Sequence, residues 1–255
     1  MGKIIAVVNH KGGVGKTATT ENLGAALMKK GKKTLLVDLD GQANLTKSLG
    51  FPINMAEGTI YHAMKGLCEL PIIENVDGIQ FVPSCLDLSV GEAEFLNEAG
   101  RELILSQLLN KVKDKFDFIL IDCPPSLALF TLNAMTVADS LLIPVQAEFL
   151  AMIGTGSILT VVNKVRSRLN PDLKIEGAVL TQYDGRKNMN ESVTEMMRKN
   201  FTGYVFETLI RDNVAISEAT AAGRSVLHYS PRSYGARDYI KLCEELLAKD
   251  KKERG

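Results

Sequence analysis

From Asn9 to Thr17 the sequence reads Asn-His-Lys-Gly-Gly-Val-Gly-Lys-Thr. Glycines at 12, 13 and 15 let successive backbone N–H groups curl around an anion, and a helix opening at Lys16 points its positive end at the same place. In that setting Lys16 reaches the β and γ phosphates of a nucleotide and the Thr17 hydroxyl ligates Mg²⁺. The expected cradle for ATP is therefore Lys11, Gly12, Gly13, Val14, Gly15, Lys16, Thr17 and Ala18. The strict phosphate-loop pattern G-x-x-x-x-G-K-[ST] is not met, because His10 stands where its first Gly belongs. The variant K-G-G-x-G-K-[ST] is met, and chance yields it on the order of once in 10⁴ chains of this length, too rarely for an ordinary glycine turn. The second lysine, Lys11, enters the loop from the opposite end. It is either a solvated loop lysine or one that points outward, to nucleotide held by a second subunit.

Carboxylates stand at the ends of two other apolar runs. Thr34–Val37 leads into Asp38-Leu39-Asp40-Gly41-Gln42-Ala43-Asn44, and Phe118–Ile121 leads into Asp122-Cys123-Pro124-Pro125-Ser126. In an open parallel sheet, ligands bind beyond the carboxyl ends of strands, so these residues can meet the phosphate loop. Asp122 is placed to hold Mg²⁺, often through water, and Asp40 to orient the attacking water. Phosphoryl transfer needs mainly positioning and charge neutralisation, which Lys11, Lys16 and Asp40 would supply together with the ion.

The elements that must carry these groups alternate. Ile4–Val8, Thr34–Val37, Ile79–Val82, Phe118–Ile121, Leu141–Val145 and Ala178–Leu180 read as strands. Most are continuously apolar, which fits a parallel sheet covered on both faces. Lys16–Lys30, Arg101–Lys115, Phe130–Ala138, Gly154–Arg168, Glu191–Asn200, Ile216–Ala222 and Tyr234–Lys249 read as helices. The alternation predicts an α/β, doubly wound, mostly parallel sheet with helices on both faces, as one domain over residues 1–255. No repeat, low-complexity tract or linker interrupts it.

Composition narrows the function. The 255 residues carry 30 Lys+Arg against 30 Asp+Glu, so nucleic-acid binding would need a local patch or one assembled by oligomerisation. The cysteines at 68, 85, 123 and 243 have neither zinc nor disulfide spacing and read as free thiols in a reducing cytoplasm. His10, His62 and His228 form no metal pattern. No signal peptide and no membrane span is expected.

With these residues in place, the sequence resembles the ParA family of DNA-partitioning ATPases, Soj-like, within the deviant-Walker-A group that includes MinD. Lys11 matches the signature lysine of the family's loop. The first switch of the family commonly reads D-x-D-P-Q-G-N. Asp38, Asp40, Gln42 and Asn44 match it, while Gly41 and Ala43 replace Pro and Gly and predict a more flexible loop. Asp40 falls on the family's hydrolytic aspartate, and Asp122–Ser126 matches the second switch. Gly177–Asp184 is similar to G-V-L-L-T-x-Y-D, and Ile210–Ala219 to I-P-R-N-V-R-L-S-E-A, a segment near adenine in relatives.

The resemblance implies an ATP-dependent cycle. ATP with Mg²⁺ closes a sandwich homodimer, Lys11 contacts the partner's phosphates, the dimer binds double-stranded DNA without sequence preference, and a ParB-like centromere-binding partner stimulates hydrolysis. The protein would be cytoplasmic and nucleoid-associated when ATP-bound. The chain begins at the phosphate-loop strand, so the operator-binding extension of longer plasmid members is not expected. Basic residues gather in the last third, and Arg198, Lys199, Arg224 and Arg232 are the candidates for DNA contact; Arg198-Lys199 matches a basic pair common in the family.

Other roles compete. A ParA-like ATPase could position another cargo. A MinD-like membrane role needs a C-terminal amphipathic helix, and the tail Ala248–Gly255 has no apolar face. A redox role like that of the nitrogenase iron protein needs a second cysteine in a switch context to join Cys123, and none follows.

Overall fold

The structure is a computed structural model that describes residues 2–52, 58–148 and 151–254, with side chains for all of these but 151–155, 253 and 254. Gly255, at the end of the tail considered above, lies outside the described residues. The strands are β1 (Lys3–Val7), β2 (Thr34–Asp38), β3 (Ile73–Glu74), β4 (Gln80–Val82), β5 (Phe118–Asp122), β6 (Ser140–Gln146) and β7 (Lys174–Thr181). They form one sheet in the order β3-β4-β2-β5-β1-β6-β7, parallel throughout except for β3 against β4.

Successive strand residues point to opposite faces, and both faces are covered. On one side Ile4, Ala6, Leu35, Val37, Ile119 and Ile121 join a core with α3 (Ile60–Met64), α4 (Leu86–Phe95), α5 (Ile104–Leu109), α6 (Leu129–Val137), α7 (Ala151–Arg168) and α8 (Asn188–Asn200). On the other, Ile5, Val7, Leu36, Phe118 and Leu120 pack with α1 (Lys16–Lys29), α2 (Asn44–Ser48), α9 (Val214–Ala221), α10 (Val226–Tyr229) and α11 (Tyr234–Arg254). Two buried faces are why β2 and β5 read as unbroken apolar runs. The doubly wound α/β fold expected from the sequence is the fold observed.

Two expectations change. The helix read over Arg101–Lys115 is broken into a 3₁₀ turn (Arg101–Leu103), α5 and a second 3₁₀ turn (Lys113–Lys115). Asn133 of α6 intrudes there: its Oδ1 accepts the Leu105 N–H and its Nδ2 donates to the Arg101 carbonyl. The stretch between β2 and β5 also holds β3, α2, α3 and α4, which were not anticipated. No helix among the described residues is long and apolar enough to cross a membrane.

Candidate active site

The site forms where three neighbouring strands end together. Val7 pairs with Asp122 and Asp38 pairs with Asp122 across β1, β5 and β2. The loops that leave these strands therefore start at one level, at the carboxyl edge of the sheet, where a parallel sheet binds its ligands.

The phosphate loop is shaped from several sides. Asn9 Oδ1 accepts the Lys11 N–H at 3.0 Å and closes the first turn. Its Nδ2 donates to the Pro144 carbonyl at 2.7 Å, tying the loop to β6. From the end of β7, Thr181 Oγ1 donates to the Val14 carbonyl (2.8 Å) and Gln182 Nε2 to the Gly13 carbonyl (2.7 Å). Gly13 and Gly15 have φ of 75° and 82°, a backbone that side-chain-bearing residues adopt only with strain. With its carbonyls tied outward, the loop keeps its N–H groups for an anion.

Lys16 is buried, and its ammonium donates back to the Lys11 carbonyl at 3.1 Å. Burial pulls it below the ordinary lysine range, against the opposing pull of Asp122, Cys123 and Asp40. Thr17 Oγ1 donates to Asp122 Oδ2 at 2.7 Å. Burial, and then the neighbouring Asp38, hold the Asp122 carboxyl well above its usual range, although Thr17 and Lys16 draw it down. Burial likewise pushes Asp38 up to about 7. Two in-register carboxylates and one buried ammonium make a site short of positive charge, which suits a divalent cation. Among the described residues no cluster of three or more His, Cys, Asp or Glu could by itself hold a metal. Mg²⁺ keeps several waters and takes its remaining ligands from phosphate and one or two side chains. Thr17 and Asp122 are the side chains that would hold it.

Asp38 has a role that the sequence reading did not give it. Its Oδ2 accepts the Thr46 N–H (2.8 Å) and hydroxyl (2.7 Å), and its Oδ1 accepts the Asp40 N–H (3.2 Å). It fixes the loop that presents Asp40. The doubled acid in Asp38-Leu39-Asp40 was the available signal. Asp40 is buried, with Oδ1 accepting the Gln42 N–H at 2.9 Å. The replaced switch residues are tightly placed. Gly41 is buried under α4, where a Cβ would stand 2.0 Å from Ser89 Oγ. Ala43 is buried with φ of 52°, a left-handed residue at the place where the resembled switch pattern has glycine. The loop is thus packed in place rather than loosened.

Lys11 leaves its own loop. Its half-exposed ammonium pairs with Glu148 Oε2 at 2.5 Å and reaches Gln146 Oε1 at 3.3 Å, past the end of β6. Ala18 lines a cavity of about 290 Å³ beside Gly15, with Gln182, Ile210, Asn213 and Ile216. The segment resembling the family's adenine-side motif is therefore next to the cradle. Arg211 in it is locked to Asp238 by three hydrogen bonds, two from its guanidinium and one from its backbone N–H, and lies 4.1 Å over the Tyr234 ring.

The basic candidates lie elsewhere. Arg198 and Lys199 end α8, where Arg198 pairs with Glu207 at 2.6 Å and Lys199 is exposed. Arg224, in the turn after α9, donates from Nε and Nη2 to the buried carboxylate of Asp77. Arg232 is exposed in the turn before α11.

Comparison with known proteins agrees with this geometry. A family model described as an AAA domain matches residues 2–175. The chain is 43% identical to the sporulation initiation inhibitor protein Soj of Bacillus subtilis, over 97% of this chain and 99% of that one. It is 41% identical to the chromosome partitioning protein ParA of Myxococcus xanthus, over 98% of this chain and 89% of that one. Among solved structures, a cobyrinic acid a,c-diamide synthase of Mycobacterium smegmatis with bound ADP and magnesium superposes with a TM-score of 0.88 at 35% identity, covering 98% and 96% of the two chains. With its phosphate loop, paired strand-end aspartates and outward second lysine, the chain belongs to the ParA/Soj family of P-loop ATPases.

Proposed function

We propose that this chain binds Mg-ATP across residues 11–18, hydrolyses it slowly when alone, and uses the nucleotide to switch between a monomer and a sandwich dimer that binds double-stranded DNA without sequence preference. A ParB-like partner would accelerate hydrolysis and release the DNA, and the cycle would move a plasmid or chromosome; chromosome partitioning is the task named in its ParA relative. The observation that carries the reading is the Thr17–Asp122 hydrogen bond beneath the loop, with Lys16 buried inside it and Lys11 aimed out of it.

Each residue has a separable task. The loop N–H groups and Lys16 bind the β and γ phosphates and neutralise charge as it shifts in the transition state. Asp40, held by Asp38 and by the Gln42 N–H, orients the attacking water. Lys11 leaves Glu148 for the phosphates of the second subunit. Mg²⁺ bound by Thr17 and Asp122 would add Lewis-acid stabilisation of the phosphate oxygens.

The neutral chain accounts for the switch in DNA affinity. One copy offers the exposed Lys199 and Arg232, with Arg198 paired to Glu207, whereas a dimer presents all three twice. Arg224, held on Asp77, contributes less. Doubling the phosphate contacts roughly doubles the slope of log affinity against log salt.

A gel-shift series on a random-sequence duplex with ATP, ADP and no nucleotide tests this. Binding is expected only with ATP, falling steeply with salt, and lost when Arg198 and Lys199 are both changed to Glu. Equal binding in all three states, or in none, would refute the DNA switch.

A further inference from the structure

Helix α1 carries the phosphate loop at one end and a basic groove at the other. Its length puts roughly 20 Å between Lys16 and Lys29, so the groove lies at the amino edge of the sheet, away from the nucleotide cradle. Two hollows adjoin there, and Met28 lines both. The smaller, about 280 Å³, lies between α1 and α10 and is walled by Ala25, Lys29, Leu227 and His228. The larger, about 580 Å³, opens where β2 and β4 begin, with Ile72 and Phe116 as its apolar side and Lys32, Lys33 and Lys115 around them.

No carboxylate lines either hollow. Lys29, Lys33 and Lys115 are exposed, and with Lys32 they form no ion pair among the described residues. Lys3, Lys11, Lys30, Lys65 and Lys249, in contrast, each have a carboxylate. Four cations along one groove, none neutralised from within the chain, leave a positive field for a ligand to meet. Acids outside the groove confine that field. Glu74, Asp114 and Asp117 are exposed close by in sequence, Asp117 spends one oxygen on the Lys33 N–H, and Glu244 pairs with Lys30 at 2.6 Å.

We infer that this groove is a docking site for an acidic segment of a partner protein, with apolar side chains seated on Met28, Ile72 and Phe116 and carboxylates meeting the four lysines. Apolar anchors supply contact area, and complementary charge supplies the choice of partner. Two joined hollows suit two side chains of one extended segment better than one compact ligand. A nucleic-acid duplex crossing this surface would carry phosphates onto Glu74, Asp114 and Asp117, and its rigid backbone would not reach the apolar floor. A small nucleotide needs convergent polar groups to fix its orientation. Here the Thr34 hydroxyl is spent on the Lys32 carbonyl (3.2 Å), and His228 Nδ1 on Ser225 Oγ (2.8 Å). Groove and cradle stand at opposite ends of α1, so docking is the same whether nucleotide is bound or not. It tethers the protein to a place or a cargo rather than timing its turnover.

The probe is a fluorescein-labelled peptide of about a dozen residues, Asp and Glu throughout except for two leucines near its middle. One control has Lys for every acid and another Ser for both leucines. Anisotropy is followed with the full chain in ATP, in ADP and without nucleotide. The wild type should bind the acidic, leucine-bearing peptide in preference to both controls, with the same affinity in all three states. Lys32→Gln, Lys33→Gln and Lys115→Gln together should weaken binding by about tenfold or more, and Met28→Gln several-fold. Both variants should keep the wild-type Tm and affinity for a fluorescent ATP analogue. Arg198→Glu with Lys199→Glu should bind the peptide as the wild type does. Absent binding by the wild type, equal binding by the triple-lysine variant, no preference for the leucines, or binding confined to ATP overturns the inference. So does displacement of the peptide by a random-sequence duplex in ADP, which would make the groove a nucleic-acid surface.

Discussion

Thr17 Oγ1 and Asp122 Oδ2 stand 2.7 Å apart, one from the first turn of α1 and the other from the last residue of β5. Two side chains 105 positions apart in sequence are thereby brought together, and the charge of Lys16 acts on the same carboxylate. Asp122→Ala should cut nucleotide affinity in Mg²⁺ to nearly its value in EDTA, whereas Lys16→Ala should weaken binding in both, by roughly 100-fold or about 3 kcal/mol. Calorimetric titration with and without the metal separates the two; unchanged affinity in Lys16→Ala would undo the site.

Among the described residues Asp40 supplies no side-chain hydrogen bond to the phosphate loop, and its carboxylate accepts the Gln42 N–H. Asp40→Ala should leave ATP affinity within a few-fold and lower turnover by about 10²–10⁴, the span of a general base or water-positioning group. Asp40→Asn, which keeps the acceptor for Gln42, should lose the same turnover. Wild-type phosphate release in either variant would assign the water to another residue.

Lys11 already reaches past its own loop to Glu148. Lys11→Ala should bind ATP nearly as well as the wild type and fail to form the ATP-dependent dimer. Sedimentation at several protein concentrations checks this, since full dimerisation by the variant would exclude a contact across the interface.

Ala43 is held at φ 52° without the freedom of glycine. A left-handed residue with a Cβ costs roughly 1–2 kcal/mol, and glycine gives back part of that through the greater entropy of the unfolded chain. Ala43→Gly should therefore raise stability by about 0.5–1 kcal/mol, or about 2 °C in Tm for a chain of this size. A lowered Tm would show that the loop needs the methyl group more than the relaxed backbone.

At the opposite edge of the sheet, Glu176 is buried and meets Lys3 (2.7 Å), Lys249 (2.9 Å) and Ser140 Oγ (2.6 Å). Burial alone would raise its carboxyl, yet Lys3, Ser140 and Lys249 outweigh it and hold the group below the ordinary range. A lowered carboxyl stabilises the fold above the unfolded-state value, near 4.3, and loses that contribution as pH falls through the folded value. Glu176→Gln should cost about 1.5–3 kcal/mol at pH 7, because two half-buried ammonium groups lose a buried carboxylate, although Lys3 keeps Asp250 at 3.1 Å. Denaturant melts at pH 7 and pH 3 should show the gap between variant and wild type closing in acid.

What could be read in advance followed the strength of the local signal. Residues 11–17 and the acids at 40 and 122 could be singled out because glycine spacing and strand-end carboxylates serve few other purposes, whereas the hold of Asp38 on Thr46 and Asp40 could not. The central strands were legible because both their faces are buried. The helices α2, α3 and α10 span four or five residues, too few to show a period. In α4, the apolar residues on two opposite faces cancel the one-sided pattern that marks a helix. The partners of Lys11 and Arg224 lie 137 and 147 positions away, a distance over which composition and spacing say nothing.

The registry of Val7 and Asp38 with Asp122 has a consequence for how such a chain can vary in descent. Deleting one residue from β1, β2 or β5 would slide its terminal group about 3.3 Å along the strand and turn it to the opposite face. The three central strands therefore tolerate exchange of one apolar side chain for another but not a change of length. Insertions and deletions should accumulate instead among the short elements between β2 and β5, where a shift of frame leaves the three strand ends level.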